Sequence, residues 1–140
     1  MTLRLWRVEI WRSPGSGKSP VEKEIDKTLK GNVKAQFMFT NLIEAVEKYG
    51  PTLAMPQNKS LGDRLFELRD TREGKRYYYS ITDYLYDDPK TGATQIILLL
   101  GAVGGKDNKK EQQKDIMRAR SRLAEITEEN IGIFSKGGEK

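Results

Sequence analysis

The stretch 96-IILLLGAV-103 constrains the fold more than any other. It is short and apolar at consecutive rather than alternating positions, so it reads as a strand buried on both faces. The segments around it carry other periods. Residues Leu3–Trp11 alternate, with Leu3, Leu5, Arg7, Glu9 and Trp11 on one strand face and Arg4, Trp6, Val8 and Ile10 on the other. Ser19, Pro20 and Glu22 form a capping box with proline at the first helical position, which starts a helix running to about Leu29 with Val21, Ile25 and Thr28 or Leu29 inward. After Gly31-Asn32 a second helix spans about Val33 to Tyr49, with Ala35, Met38, Leu42, Ala45 and Tyr49 as its apolar stripe, and Gly50-Pro51 ends it. A loop containing Pro51 and Pro56 leads to strands at 65-LFELRD-70 and 75-KRYYYSITDYLY-86 joined by a turn at Gly74, and 87-DDPKTGATQ-95 reads as a longer turn. A last helix runs from about Lys109 to Glu128, with Ile116, Ala119, Leu123 and Ile126 inward. The expected order is β-α-α-β-β-β-α, an α+β fold with a helical hairpin, a mostly antiparallel sheet and a C-terminal helix. It forms one domain over residues 1–130, and 131–140 is a flexible tail.

The segment 12-RSPGSGKSP-20 imitates a phosphate-binding P-loop, G-x-x-x-x-G-K-[ST]. The imitation fails on three counts. The first glycine should stand at position 12, which is Arg12. Pro14 and Pro20 remove backbone donors from the would-be cradle. No apolar strand ending in Asp is available to hold magnesium. The loop launches a helix instead.

Composition narrows the chemistry. The 140 residues contain no cysteine and no histidine. Disulfides, thiolate metal sites and a cysteine nucleophile are excluded, and any proton transfer near neutral pH falls to Lys, Tyr, Glu or Asp. No metal-ligand pattern is present, and no cofactor is expected. No apolar run approaches the length of a membrane span and no signal-peptide core is visible, which predicts a cytoplasmic protein without a membrane role. The net charge of +5 favours an anionic partner.

Two basic clusters carry that charge. On 65-LFELR-69, Phe66 and Leu68 point to one face, and Glu67 and Arg69 to the other. On the next strand Arg76 shares a face with Tyr78, opposite Tyr77 and Tyr79. One sheet face therefore presents Glu67, Arg69, Arg76 and a tyrosine, a set that suits RNA because guanidinium forks grip phosphates and rings stack bases. The alternative is a solvated face of mutually paired charges. The second cluster, Lys106, Lys110, Lys114, Arg118 and Arg122, recurs in steps of four, a stripe drifting by about 40° per step round the last helix. Between Lys106 and Arg122 seven basic residues stand against three acidic ones. This is either a nucleic-acid footprint or a solvated face on which Glu111 and Asp115 make helical ion pairs.

These residues resemble the RelE/ParE toxin superfamily, and within it the phage-derived HigB-like toxins. The matching segments are 17-GKSPV-21 before the first helix, 59-KSLGDRLFELR-69, Arg76 in 74-GKRYYY-79, the strand and loop 96-IILLLGAVGGKDNKK-110, and 116-IMRARSRL-123. They extend over about Val8 to Leu123. The resemblance implies a toxin of a type II toxin–antitoxin system that cleaves messenger RNA on the ribosome, without metal, by attack of a ribose 2′-OH on the adjacent phosphate. A helix-turn-helix antitoxin from a neighbouring gene would be its other partner. By position, Lys59, Arg69 and Arg76 would hold and stabilise the phosphate, Lys106 would orient RNA or act as acid, and Tyr78 or Tyr79 would stack a base, with the strand phase favouring Tyr78. Glu67, Lys110, Lys114 and Arg118 would contact RNA. The sequence departs from relatives at Gly101, where they often carry His, at Gly104-Gly105, where they tend to carry lysines, and in the longer 87–95 segment. Superfamily members that poison gyrase, or inactive relatives, define the alternative, a non-catalytic binding module.

Overall fold

The computed structural model describes residues 6–13, 18–53, 58–88, 92–104 and 109–126. In chain order these form β1 (Trp6–Ile10), α1 (Pro20–Leu29), α2 (Val33–Tyr49), a 3-10 turn (Gly50–Thr52), β2 (Asn58–Gly62), β3 (Leu65–Asp70), β4 (Lys75–Asp88), β5 (Gly92–Val103) and α3 (Lys109–Ala124). The fold is α+β: a five-stranded sheet in the order β1-β5-β4-β3-β2, antiparallel except where β1 pairs with β5, together with three α-helices. Among the described residues no helix is long and apolar enough to cross a membrane.

β5 is flanked by β4 on one side and β1 on the other, and Ile96 to Leu100 are buried without interruption. That is the environment its continuous apolar run requires. The helix starts follow from local chemistry. The Ser19 hydroxyl accepts the Glu22 N–H at 3.1 Å and donates to Trp11 O at 2.7 Å, so the P-loop look-alike ends in a helix cap tied to β1. Asn32 Oδ1 accepts the Ala35 N–H at 2.9 Å and starts α2. At the other end of α2, Gly50 has φ +57, and a Cβ there would lie 2.6 Å from the Trp6 indole, so only glycine fits.

Four expectations are corrected. The segment expected to be loop before β3 contains a further strand, β2, which makes the order β-α-α-β-β-β-β-α. β2 and β3 are joined through Gly62, Asp63 and Arg64, all at positive φ, with Arg120 of α3 donating to Leu61 O at 2.8 Å and Gly62 O at 3.3 Å. A hairpin turn without the usual Asn-Gly pair gives little sequence signal. β4 and β5 run on to Asp88 and Gly92, shortening the expected long turn. The inward face of α2 is centred on Ala35, Leu42, Val46 and Glu47, while Tyr49 is exposed, because Glu47 is drawn in to accept the Val8 N–H at 3.0 Å. α3 stops at Ala124, where Glu125 and Ile126 make tighter i→i−3 bonds. The expected tail, residues 131–140, lies outside the described residues.

Candidate nucleic-acid interface

Strand register decides which side chains meet. Lys59 stands opposite Glu67, Glu67 opposite Tyr78, and Tyr78 opposite Gly101, so one row crosses β2, β3, β4 and β5. In the next row on the same face Arg69 stands directly opposite Arg76, and Arg76 opposite Val103. Five of the residues expected to form the site, Lys59, Glu67, Arg69, Arg76 and Tyr78, are thus placed on one patch of one sheet face. Lys106 lies outside the described residues.

The patch is internally paired. Arg69 Nε lies 3.1 Å from Glu67 Oε1, and the Glu67 side chain is only 7% exposed. Arg69 itself is a third exposed and Arg76 is partly so. The Tyr78 ring is 1% exposed, so a base cannot stack on it while α3 stays in place, and Tyr79 is equally covered. Burial pushes the Tyr78 phenol well above its ordinary range; Glu67 and Asp115 add to this, and Arg76 and Arg69 oppose it. Its hydroxyl has no hydrogen-bond partner among the described residues.

The cover over Tyr78 comes from α3, which packs across β3, β4 and β5. Between Tyr78 and Tyr79 the β4–β5 ladder slips, so Tyr78 faces Gly101, Tyr79 faces Leu99, and Leu100 is the extra residue of a bulge. The carbonyl of Leu100 accepts Arg122 Nη1 at 2.8 Å, and Glu24 of α1 accepts the Ala102 N–H at 3.2 Å. Arg122 and Glu24 join these two sites through contacts of 2.6 and 3.1 Å, and the guanidinium lies over the Trp11 ring. A Cβ at Gly101 would already touch Glu24 Oε1, the Tyr78 ring and Arg122 Nη1 at 3.4 to 3.7 Å. A side chain reaching beyond Cβ at this position would meet the clamp.

The basic stripe of α3 is divided by these contacts. Arg122 is structural. Arg118 pairs with Asp115 at 3.4 Å, and Lys114 with Glu111 at 3.8 Å, as helix geometry allows. Lys110 and Lys114 are exposed. Asp115 is the residue the sequence did not single out: it reads as a helical ion-pair partner, yet it faces Tyr78 from α3. Burial raises its pKa, Arg118 lowers it, and Glu111 and Glu24 raise it further. Among the described residues no group of three acidic side chains gathers as a metal site would need.

The fold and patch define an α+β domain with a basic, partly covered sheet face. No family model, no curated protein and no solved structure matches this chain.

Proposed function

We propose that this sheet face binds the phosphate backbone of RNA, and that the protein is a metal-independent, ribosome-dependent messenger RNA endonuclease acting as the toxin of a type II toxin–antitoxin pair. The observation that carries the reading is Arg69 standing directly across from Arg76. Like charges on directly opposed strand positions destabilise a sheet, by roughly 0.2–1 kcal/mol. Glu67 pairs with Arg69, and a phosphate seated between the two guanidiniums would offset their mutual repulsion, which supports an anionic ligand at this point. Lys59 lies one row away at the sheet edge and adds a further cation.

For 2′-OH attack on a phosphate, two guanidiniums at the phosphorus would stabilise the two negative charges of the pentacovalent intermediate. With no histidine in the chain, the proton must move through a carboxyl, an amine or a phenol. The family resemblance suggests that Lys106 either orients RNA or acts as the acid. The assignment of ribosome, message and a helix-turn-helix antitoxin as partners, and of the cytoplasm as the place of action, rests on that resemblance.

Induction of the protein followed by primer extension on a reporter message, translated and untranslated, tests the reading. New 5′ ends that need translation, and that vanish in Arg76→Ala, are the expected result. Growth arrest with an intact message would sink the nuclease and leave a second reading, a binding module that does not cut RNA. The covered Tyr78 and the clamp at Gly101 favour that second reading.

A further inference from the structure

β5 outruns its parallel neighbour. β1 is last paired at Ile10 opposite Leu99, and Trp11 N donates to Leu99 O at 3.0 Å. Beyond that point α1 and α3 take the place of a strand, through Glu24 at Ala102 and Arg122 at Leu100. Helices cannot follow a strand edge as closely as another strand does. A cavity of about 320 Å³ is left between them, lined by Glu24 and Lys27 of α1, Lys75 at the start of β4, Gly104 after β5, and Asp115 and Arg118 of α3.

The charges around it are unequally satisfied. Glu24 is engaged by both nitrogens of Arg122 and by the Ala102 N–H. Asp115 is engaged by Arg118, whose side chain remains half exposed. Among the described residues Lys27 and Lys75 make no ion pair. The cavity therefore offers two ammonium groups and part of a guanidinium, with both of its carboxylates already committed. Three cationic residues lining one cavity suit a phosphate, and the volume exceeds that of a bare ion and lies at the lower end of small-ligand pockets, roughly 300 Å³. Val103, in the cavity wall, is paired with Arg76, so the cavity adjoins the arginine pair.

We propose that this cavity is a second phosphate subsite for RNA, in which Lys27, Lys75 and Arg118 hold the nucleotide next to the one gripped by Arg69 and Arg76. The choice of RNA rests on the function proposed above; the cation set itself does not. The test is titration of the isotope-labelled full chain with uridine 3′-monophosphate, and separately with inorganic phosphate, followed by amide NMR. Saturable shifts are expected at Lys27, Lys75, Gly104 and Arg118, with the nucleotide binding more tightly than phosphate. Lys27→Glu and Lys75→Glu are each expected to weaken binding at least tenfold. Lys27 is exposed on α1, so Lys27→Glu decides the matter if Lys75→Glu fails to fold.

The proposal is overturned if these amides do not respond, or if they respond equally in Lys27→Glu. It is also overturned if a tetraglutamate peptide binds there and the nucleotide does not, which would assign the cavity to an acidic protein partner. Message cleavage is read separately in the same variants. Binding without cleavage supports the subsite and refutes the nuclease. Cleavage that continues in Lys27→Glu, without nucleotide shifts in the parent, refutes the subsite and leaves the nuclease standing.

Discussion

The two faces of the central sheet are made from alternate residues of the same strands, yet they solve different problems. On one face Phe66 stacks on Tyr79 at 5.2 Å, Tyr77 lies opposite Leu68, and Phe39 of α2 meets Tyr77 at 4.8 Å. Of the two phenols there, Tyr79 donates to Asn58 at 2.7 Å, and Asn58 in turn donates to Leu53 O at 3.0 Å, whereas the Tyr77 hydroxyl has no partner among the described residues. On the other face Glu67, Arg69, Arg76 and an unpartnered Tyr78 hydroxyl lie in adjacent rows. The first face is arranged for stability. Each face holds one unpartnered phenol, but only the second sets like charges directly across from each other, which stability alone does not explain. Departures of that kind concentrate where a protein does something else.

The largest expected effect comes from removing what holds α3 over the charged face. Arg122→Ala leaves Glu24, whose side chain is 22% exposed, and the Leu100 carbonyl without their guanidinium. Breaking a mostly buried ion pair from one side costs about 3–5 kcal/mol. Chemical denaturation measures the loss. A change below about 0.5 kcal/mol would mean that α3 is held by its apolar contacts at Ile116, Ala119 and Leu123 and that the clamp is dispensable.

Next in size are the two opposed arginines, which the register predicts to behave differently. Arg76→Ala removes a like-charge opposition together with the contacts Arg76 makes itself, so stability is expected to fall by no more than about 1 kcal/mol while message cleavage falls about 10²–10³-fold. Arg69→Ala has the same effect on cleavage but also strands the buried Glu67 carboxylate, at a cost of about 1–3 kcal/mol. Glu67→Gln combined with Arg69→Ala restores most of that stability and none of the cleavage. If Arg76→Ala unfolds the protein, the opposed pair is structural and the contrast between the faces disappears.

A third test sets Glu67, paired with Arg69, against the buried Glu9 of β1. Burial raises the Glu9 pKa to about 7; the Arg7 hydrogen bond and charge pull it down, and Glu47 pushes it up. Between pH 4.5 and about 7 the folded state therefore favours a proton that the unfolded state has lost. The contribution of Glu9 is complete below its ordinary pKa of 4.5, declines as pH rises through that value, and levels off above about 7. A shift of this size is worth about 3 kcal/mol. Glu9→Gln is expected to flatten the stability profile between those two values, and an unchanged slope would show that another group titrates there.

Much of this arrangement was legible in the sequence, and the missing part has a physical cause. The limits of α1 and α2 follow from Ser19-Pro20 and Asn32 at their starts and Gly31 and Gly50 at their ends, which are local signals. The division of Glu67, Arg69, Arg76 and Tyr78 from Phe66, Leu68, Tyr77 and Tyr79 follows from strand alternation alone. Register does not. That Arg69 meets Arg76, or that a bulge at Leu100 turns a carbonyl toward Arg122, depends on pairing between distant segments. The cavity was out of reach for the same reason, since Lys27 and Lys75 are ordinary surface lysines until the end of β1 leaves β5 uncovered. Arg122 looked like a member of a basic stripe because spacing reveals a helix face, not what lies against it.

The smallest effects give the sharpest comparison, because three consecutive tyrosines sample both faces. Tyr77, Tyr78 and Tyr79 are all buried, and burial raises the pKa of each phenol. Only their hydroxyl environments differ: Tyr79 donates to Asn58, whereas Tyr77 and Tyr78 find no partner among the described residues. Tyr79→Phe is expected to lose about 1–2 kcal/mol, since it removes the hydrogen bond to Asn58, while Tyr77→Phe and Tyr78→Phe are expected to be neutral or more stable by up to about 1 kcal/mol. Urea midpoints at constant m separate the three. The same substitutions then distinguish the faces by function. If the charged face binds RNA as proposed, Tyr77→Phe is expected to leave binding and cleavage unchanged and Tyr78→Phe to alter one of them, because its phenol alone stands among Glu67, Arg69, Arg76 and Asp115. Equal destabilisation in all three would mean that water already satisfies the two inner hydroxyls. Identical RNA behaviour in Tyr77→Phe and Tyr78→Phe would mean that the phenol on the charged face is packing, and that a role for this face has to be sought in Arg69 and Arg76 alone.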